Sequence, residues 1–414
     1  MTSRGASRPE RAGHGDRAQP PRRLLGMMVG TSCDGVSACL LESRGLGLER
    51  QIRVLQVKEK AFPPDLRAAL FRLYPPHRFS ARRLLTLHLE VGRFLGEVAR
   101  ELMATQGLAW GQVDLVAFQG PILYHDPKAG QLELGEPALV AEATGAVTVC
   151  RLRAADAAAG GQGAPLSPYV DYLLFRHPTE GRAVQNLGGI ANVTPLWAGL
   201  SQDQVTAFDT GPANMVIDGV VSLLTDGRET FDRDGRRAAR GRVDQAFLEE
   251  LLEHPYFRQA PPKTTGREDF GMPYAQRLVA EGRARGLGDD DLVATATALT
   301  AESIAQAYGR FVFPQGPIHR VILGGGGVRN STLVAMLTAA LAREAAQHGQ
   351  PAPVVERHAD HGLPDEGREA ITWAILADEG IHGRPANLPS VTGARHRARL
   401  GQVAWPPPMP GELA

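Results

Sequence analysis

The chain carries one structural device twice. Apolar runs at residues 24–29 and 36–41 flank the turn Gly30-Thr31-Ser32-Cys33-Asp34-Gly35, and over 183–194 the pattern returns around Gly188-Gly189. Apolar runs joined by a glycine turn read as a β-hairpin. Its repetition implies two related halves facing each other across a cleft, each offering a hairpin tip to a shared ligand. The first tip has the chemistry of an anion site. Glycines let the backbone approach and aim N–H groups, Thr31 and Ser32 add hydroxyls, and Asp34 adds a carboxylate able to organise Mg²⁺.

Between and beyond the hairpins, strands and helices alternate. Helical spacing predicts helices over 79–103, 137–144, 291–312 and 331–343, the third opened by Asp289-Asp290-Asp291. Short apolar runs predict strands over 114–118, 146–150, 205–208 and 321–323. The class is therefore α/β. The expected organisation is a disordered Arg-, Gly-, Ser- and Pro-rich tail (1–23), a first domain (24–180) and a second (181–414).

Charge and cysteine content narrow the function. Lys+Arg and Asp+Glu each number 45, so no basic field favours nucleic acid, and any anion site must be built locally. The three cysteines, Cys33, Cys39 and Cys150, lack the spacing of a disulfide framework or a zinc site. No run approaches the ~18 apolar residues of a membrane span, and no cleavable apolar segment is evident, so the expected location is cytoplasmic.

Two more glycine segments suggest ligand contact. The strand at 321–323 enters Gly324-Gly325-Gly326-Gly327 before a helix, which removes side chains where a base or phosphate could lie against backbone. Gly160, Gly161 and Gly163 mark either a close backbone approach or a tight loop before Pro165. Asn214 and Asn330 could each bond a ligand or cap a helix. His125 reads as a turn residue or a ligand contact. Lys263, Arg267 and Glu268 read as a solvated surface turn without a catalytic role.

The ordered motifs Gly30-Thr31-Ser32-Cys33-Asp34-Gly35, Gly160-Gly161-Gln162-Gly163-Ala164-Pro165-Leu166, Asn186-Leu187-Gly188-Gly189-Ile190-Ala191-Asn192, Phe208-Asp209-Thr210-Gly211-Pro212-Ala213-Asn214, Pro262-Lys263-Thr264-Thr265-Gly266-Arg267-Glu268, Gly324-Gly325-Gly326-Gly327-Val328-Arg329-Asn330 and Asn387-Leu388-Pro389-Ser390-Val391-Thr392-Gly393-Ala394 closely resemble the anhydro-N-acetylmuramic acid kinase family. The resemblance implies two actin-like, ribonuclease H-like domains closing over ATP and sugar, and a homodimer. It also implies an activity: water opens the 1,6-anhydro bond of the sugar and ATP phosphorylates the freed O6, giving N-acetylmuramate 6-phosphate for cell-wall recycling.

On this resemblance Gly30, Thr31, Ser32, Cys33, Asp34, Gly35, Val36 and Ser37 form the ATP phosphate loop, with Asp34 toward Mg²⁺. Gly188, Gly189, Gly324, Gly325, Gly326 and Asn330 complete the nucleotide site. Gly161, Gln162, Gly163, Asn186 and Asn214 contact sugar, and Asp209 is the base that activates water. A base needs a fixed carboxylate, and Asp209 is expected at a Gly/Pro turn just after the strand at 205–208.

Four positions depart from the family pattern. Ser37 replaces a carboxylate, Gln119 a histidine in a segment that loses most of its polar lining, Arg151 an aspartate, and Asp171 a histidine. These changes fall on the sugar side and the phosphate loop. They leave open a kinase for a different sugar or a non-catalytic ATP-binding paralogue.

Overall fold

The computed structural model describes residues 20–30, 33–74, 79–126 and 130–408. Thr31, Ser32 and tail residues 1–19 lie outside the described residues. The first sheet contains β1 (Arg22–Val29), β2 (Gly35–Arg44), β3 (Gln51–Ala61) and β4 (Leu115–Gln119). A small separate hairpin follows, β5 (Ile122–Asp126) with β6 (Gly130–Glu133), and then β7 (Val147–Cys150). The second sheet contains β8 (Arg182–Leu187), β9 (Ile190–Leu196), β10 (Phe208–Pro212), β11 (Arg320–Gly324) and β12 (Val354–Arg357), and β13 (Gln402–Ala404) ends the series.

The two sheets share one topology. Strand order runs β3-β2-β1-β4-β7-β13 in the first and β10-β9-β8-β11-β12 in the second. In each, three antiparallel strands precede two parallel ones. Turns or short loops join the antiparallel strands, whereas the parallel neighbours need helical crossovers, such as Ala81–Thr105 before β4 and Asp289–Ala307 before β11. This duplicated order is the pair of actin-like, ribonuclease H-like units that the family resemblance implies.

Period-two alternation sends neighbouring side chains of each strand into different layers. Leu25, Met27 and Val29 of β1 meet Val91, Leu95 and Val98 of the helix Ala81–Thr105. Leu24 faces a middle layer built by Ser167–Phe175 and Arg368–Ile381, which also takes Val184 of β8 and Ile322 of β11. Val321 and Leu323 point the other way, toward the helices Asn214–Leu224, Asp289–Ala307 and Ser331–Gln347. The middle helices are thus a shared layer between the sheets.

The chain does not keep to a division at 180/181. The helix Arg368–Ile381 lies on β1 and β4, and β13 pairs with β7, so the last stretch of the expected second domain (181–414) completes the first sheet. A Cβ on Gly26 would sit 1.8 Å from the Ala370 carbonyl oxygen, so glycine permits this close docking. β1 also starts inside the expected tail (1–23). Arg22 is drawn into order by Asp378, with Nε to Oδ1 at 3.0 Å, and the Arg23 N–H donates to Asp114 at 2.7 Å.

Candidate active site

Asp209 lies within β10, rather than at a turn after a strand over 205–208. It pairs with Asn192, and the register shifts between Asp209 and Gly211, so a bulge re-aims the chain at this point. Its carboxylate is held from a separate loop: the Thr265 N–H donates to Oδ2 at 3.0 Å. The Asp209 backbone is clamped as well. Its N–H donates to the Lys263 carbonyl at 3.1 Å, and the Tyr256 hydroxyl donates to its carbonyl at 2.7 Å.

Burial pushes the Asp209 carboxyl up to about 6, against the opposing pull of the Thr265 N–H and the Lys263 ammonium, while Glu268 adds to the rise. A carboxyl in that range exchanges protons near neutral pH, which suits a general base. Lys263 corrects the expectation of a solvated surface turn: it is 6% exposed. Burial brings its ammonium down to about 8, with Arg310 acting in the same direction and Asp209 opposing. Pro262-Lys263-Thr264-Thr265 was the available sequence signal, but polar turn composition hid a loop that folds inward onto β10.

The second hairpin, the helix after β10 and the glycine run meet. The N–H groups of Ala213 and Asn214 donate to the Gly189 and Gly188 carbonyls, each at 3.0 Å, and Asn214 Nδ2 donates to the Leu187 carbonyl at 3.1 Å. Gly325, with φ +87°, lies where a Cβ would stand 2.7 Å from Asn186 Oδ1, and one on Gly327 would stand 2.7 Å from Leu187 Cβ. Gly324 likewise abuts the His358 ring. Only Gly326 within the run faces open space, its nearest neighbour being Asn214 Nδ2 at 3.9 Å. Three of the four glycines therefore allow protein to touch protein.

The run does not open the long helix directly. A short 3₁₀ turn, Gly326–Arg329, intervenes, and Asn330 then caps Ser331–Gln347 by accepting the Leu333 N–H at 2.9 Å. An arginine-lined cavity of about 390 Å³ was not anticipated from the sequence; Arg228, Phe231, Asp232, Arg233 and Arg236 are among its walls. The turn Arg233–Gly235 beside it docks on the start of the same helix, through Ser331 to the Asp234 carbonyl (2.9 Å) and Thr332 to the Gly235 carbonyl (2.8 Å).

On the first sheet, Gly30 and Gly35 bracket the hairpin tip. Cys33 is buried with φ +52°, and its N–H donates to the Gly30 carbonyl at 3.0 Å. Asp34 is exposed and ion-paired with Arg67. Val36 is buried, and Ser37 faces Glu59 across β2 and β3, so a carboxylate stands one strand away from the missing one.

The other departures have local partners. Gln119 Oε1 accepts from Arg153 Nε at 2.7 Å, and Arg153 also reaches the Gly163 carbonyl at 3.0 Å. Asp171 takes Arg368 at 2.6 Å and the Thr194 hydroxyl at 2.9 Å. Arg151, at φ +52°, precedes the helix Leu152–Ala158. In the loop after that helix, the Gln162 N–H donates to the Thr392 carbonyl, and Gly161 presses on Asp156, whose Oδ2 accepts the Gly163 N–H at 2.8 Å. His125 accepts or donates at Gln131, 2.8 Å away.

A magnesium ion carried with nucleotide phosphates needs only one or two protein carboxylates. Asp34 offers one at the hairpin tip, and the described residues contain no cluster of three or more His, Cys, Asp or Glu side chains suited to an all-protein metal cage. No helix among the described residues is long and apolar enough to cross a membrane.

Comparison with known proteins is consistent along the chain. Residues 22–406 match the family model described as anhydro-N-acetylmuramic acid kinase. A protein of that name from Caldanaerobacter subterraneus subsp. tengcongensis is 41% identical over 392 residues, covering 92% of this chain and 97% of the relative. Another from Salinibacter ruber is 41% identical over 396 residues, covering 94% and 97%. Among solved structures, a ROK hexokinase from Thermus thermophilus aligns with TM-score 0.35 at 14% identity, covering 84% of this chain and 98% of the other.

Proposed function

The chain belongs to the anhydro-N-acetylmuramic acid kinase family, and from that premise we infer that it uses ATP to phosphorylate 1,6-anhydro-N-acetylmuramic acid while water opens the anhydro ring. One observation supports the chemical role most directly: Asp209 is half-buried, clamped through its backbone, and aimed by the Thr265 N–H. Asp209 takes a proton from water as the water oxygen bonds to C1. The C1–O6 bond breaks, O6 takes the γ-phosphoryl group, and ADP leaves.

The nucleotide site in this reading combines the hairpin Gly30, Thr31, Ser32, Cys33, Asp34, Gly35, Val36 and Ser37 with Gly188, Gly189 and the backbone of Gly324, Gly325 and Gly326, where Gly326 alone within the run faces open space. Asn330 acts there through the cap that fixes the helix start. Arg228 and Arg233 add positive charge beside that segment. Asp34 is the candidate Mg²⁺ contact, and the ion would neutralise phosphate charge during transfer. Gly161, Gln162, Gly163, Asn186 and Asn214 are the proposed sugar contacts. Closure of the β1 unit on the β8 unit brings these sets to one substrate, in a cytoplasmic homodimer.

The test is product identity. Incubation with ATP, Mg²⁺ and the anhydro sugar is expected to give N-acetylmuramate 6-phosphate, detected by ³¹P NMR and mass spectrometry. Recovery of unreacted sugar with bound ATP would overturn the reading.

A further inference from the structure

We propose that Lys263 is a positioning residue for Asp209: its ammonium, held in an aromatic cage behind the loop that grips the carboxylate, keeps that carboxylate ionised and aimed. The proposal rests on the reading of Asp209 as the base. Lys263 Nζ stands 4.6 Å from the Tyr256 ring centroid and 5.2 Å from that of Phe311, and it donates to the Tyr256 carbonyl at 3.3 Å. Cation–π contact of this kind holds a desolvated ammonium without neutralising it.

The cage and the carboxylate are mechanically one unit. Tyr256, the wall of the cage, donates its hydroxyl to the Asp209 carbonyl, and the Lys263 carbonyl accepts the Asp209 N–H. Among the described residues the Lys263 ammonium bonds a backbone carbonyl rather than a carboxylate, so its charge acts through space. A buried cation with so few partners is poorly explained as a stabilising device, because an apolar side chain of similar volume would pack there at less desolvation cost. Asp209, bonded through its backbone to the Lys263 carbonyl and the Tyr256 hydroxyl, is the acidic group this charge acts on.

Other charges share the space. Arg310 adds positive charge near Lys263 while donating to the Phe257 carbonyl at 2.9 Å. Glu268 opposes ionisation of Asp209, and Asp269 takes the Thr265 hydroxyl at 2.7 Å and faces Tyr256. Lys263 is the cation tied by hydrogen bonds to the Asp209 backbone and its clamp.

The experiment follows the Asp209 carboxyl by ¹³C NMR, assigned by the signal lost in Asp209→Asn, across pH in full-length native protein, Lys263→Arg, Lys263→Met and Lys263→Gln. Thermal unfolding is run alongside, and kcat/KM is measured over the same pH range. The expected result is an upward move of the Asp209 titration by about one pH unit in Lys263→Met and Lys263→Gln, matched by the acid limb of kcat/KM. Lys263→Arg should restore both. An unmoved titration in either folded neutral variant, or activity lowered equally at every pH, would overturn the proposal. The NMR readout does not need turnover, so a native protein without kinase activity would sink the reading of function and leave this test standing.

Discussion

Thr265 donates its backbone N–H to Asp209 Oδ2 across 3.0 Å, from the same loop whose Lys263 carbonyl accepts the Asp209 N–H at 3.1 Å. Strand and loop thus fix both ends of the residue, and in the proposed reaction the carboxylate needs little rearrangement before it meets water.

With the Asp209 carboxyl pushed up to about 6, the ionised form of the proposed base is lost as pH falls through that value. kcat/KM is expected to drop by about tenfold per pH unit below it, measurable from a profile between pH 4.5 and 8. Stability should move oppositely. The folded-state proton affinity lies above the ordinary aspartate value of 3.8, so the native state binds more protons than the unfolded chain between about 4 and 6. This contribution falls as pH rises through that window, and Asp209→Asn is expected to melt higher than the native protein at pH 7.

Arg50 ties the returning helix to the first sheet. Its guanidinium is fully buried, 2.7 Å from Asp378 and 2.6 Å from Glu379, with Ser43 as a further acceptor at 2.6 Å. Arg50→Met leaves two buried carboxylates short of a partner. The expected loss is roughly 3–5 kcal/mol, read as a lower urea midpoint, with Arg22 and Arg384 limiting the damage through their own contacts to the same pair.

Gly26→Ala tests the docking of that helix on β1. The added methyl meets the Ala370 carbonyl at 1.8 Å, so strand and helix must separate. Overpacking of this kind costs about 1–3 kcal/mol, and the lowered melting temperature should be accompanied by faster proteolysis near the helix Arg368–Ile381. An unchanged melting temperature would show that the contact is loose in solution.

Much of the architecture was legible from local pattern. The repeated hairpins gave the duplicated sheets, and helical spacing located Pro137–Thr144 to the residue. What escaped was long-range. Nothing local says that 368–404 returns to the first sheet, because the apolar face of Arg368–Ile381 is the same whichever sheet it covers. Lys263 escaped because a Pro- and Thr-rich loop looks solvated until Tyr256 and Phe311 close around it. The glycine run was ambiguous in a different way, since absent side chains signal close approach without saying to what, and the space a Cβ would take at Gly324, Gly325 and Gly327 is held by His358, Asn186 and Leu187. The departures at Gln119 and Asp171 looked like losses, yet Arg153 and Arg368 satisfy them.

We propose a working anhydro-sugar kinase with Asp209 as its base. Coupled ADP release with ATP, Mg²⁺ and 1,6-anhydro-N-acetylmuramic acid, run beside Asp209→Asn, is the decisive measurement. Sugar-dependent release that falls by about 10²–10⁴-fold in the variant is expected. ADP release that ignores the sugar, or an Asp209→Asn protein as active as the native one, would contradict it.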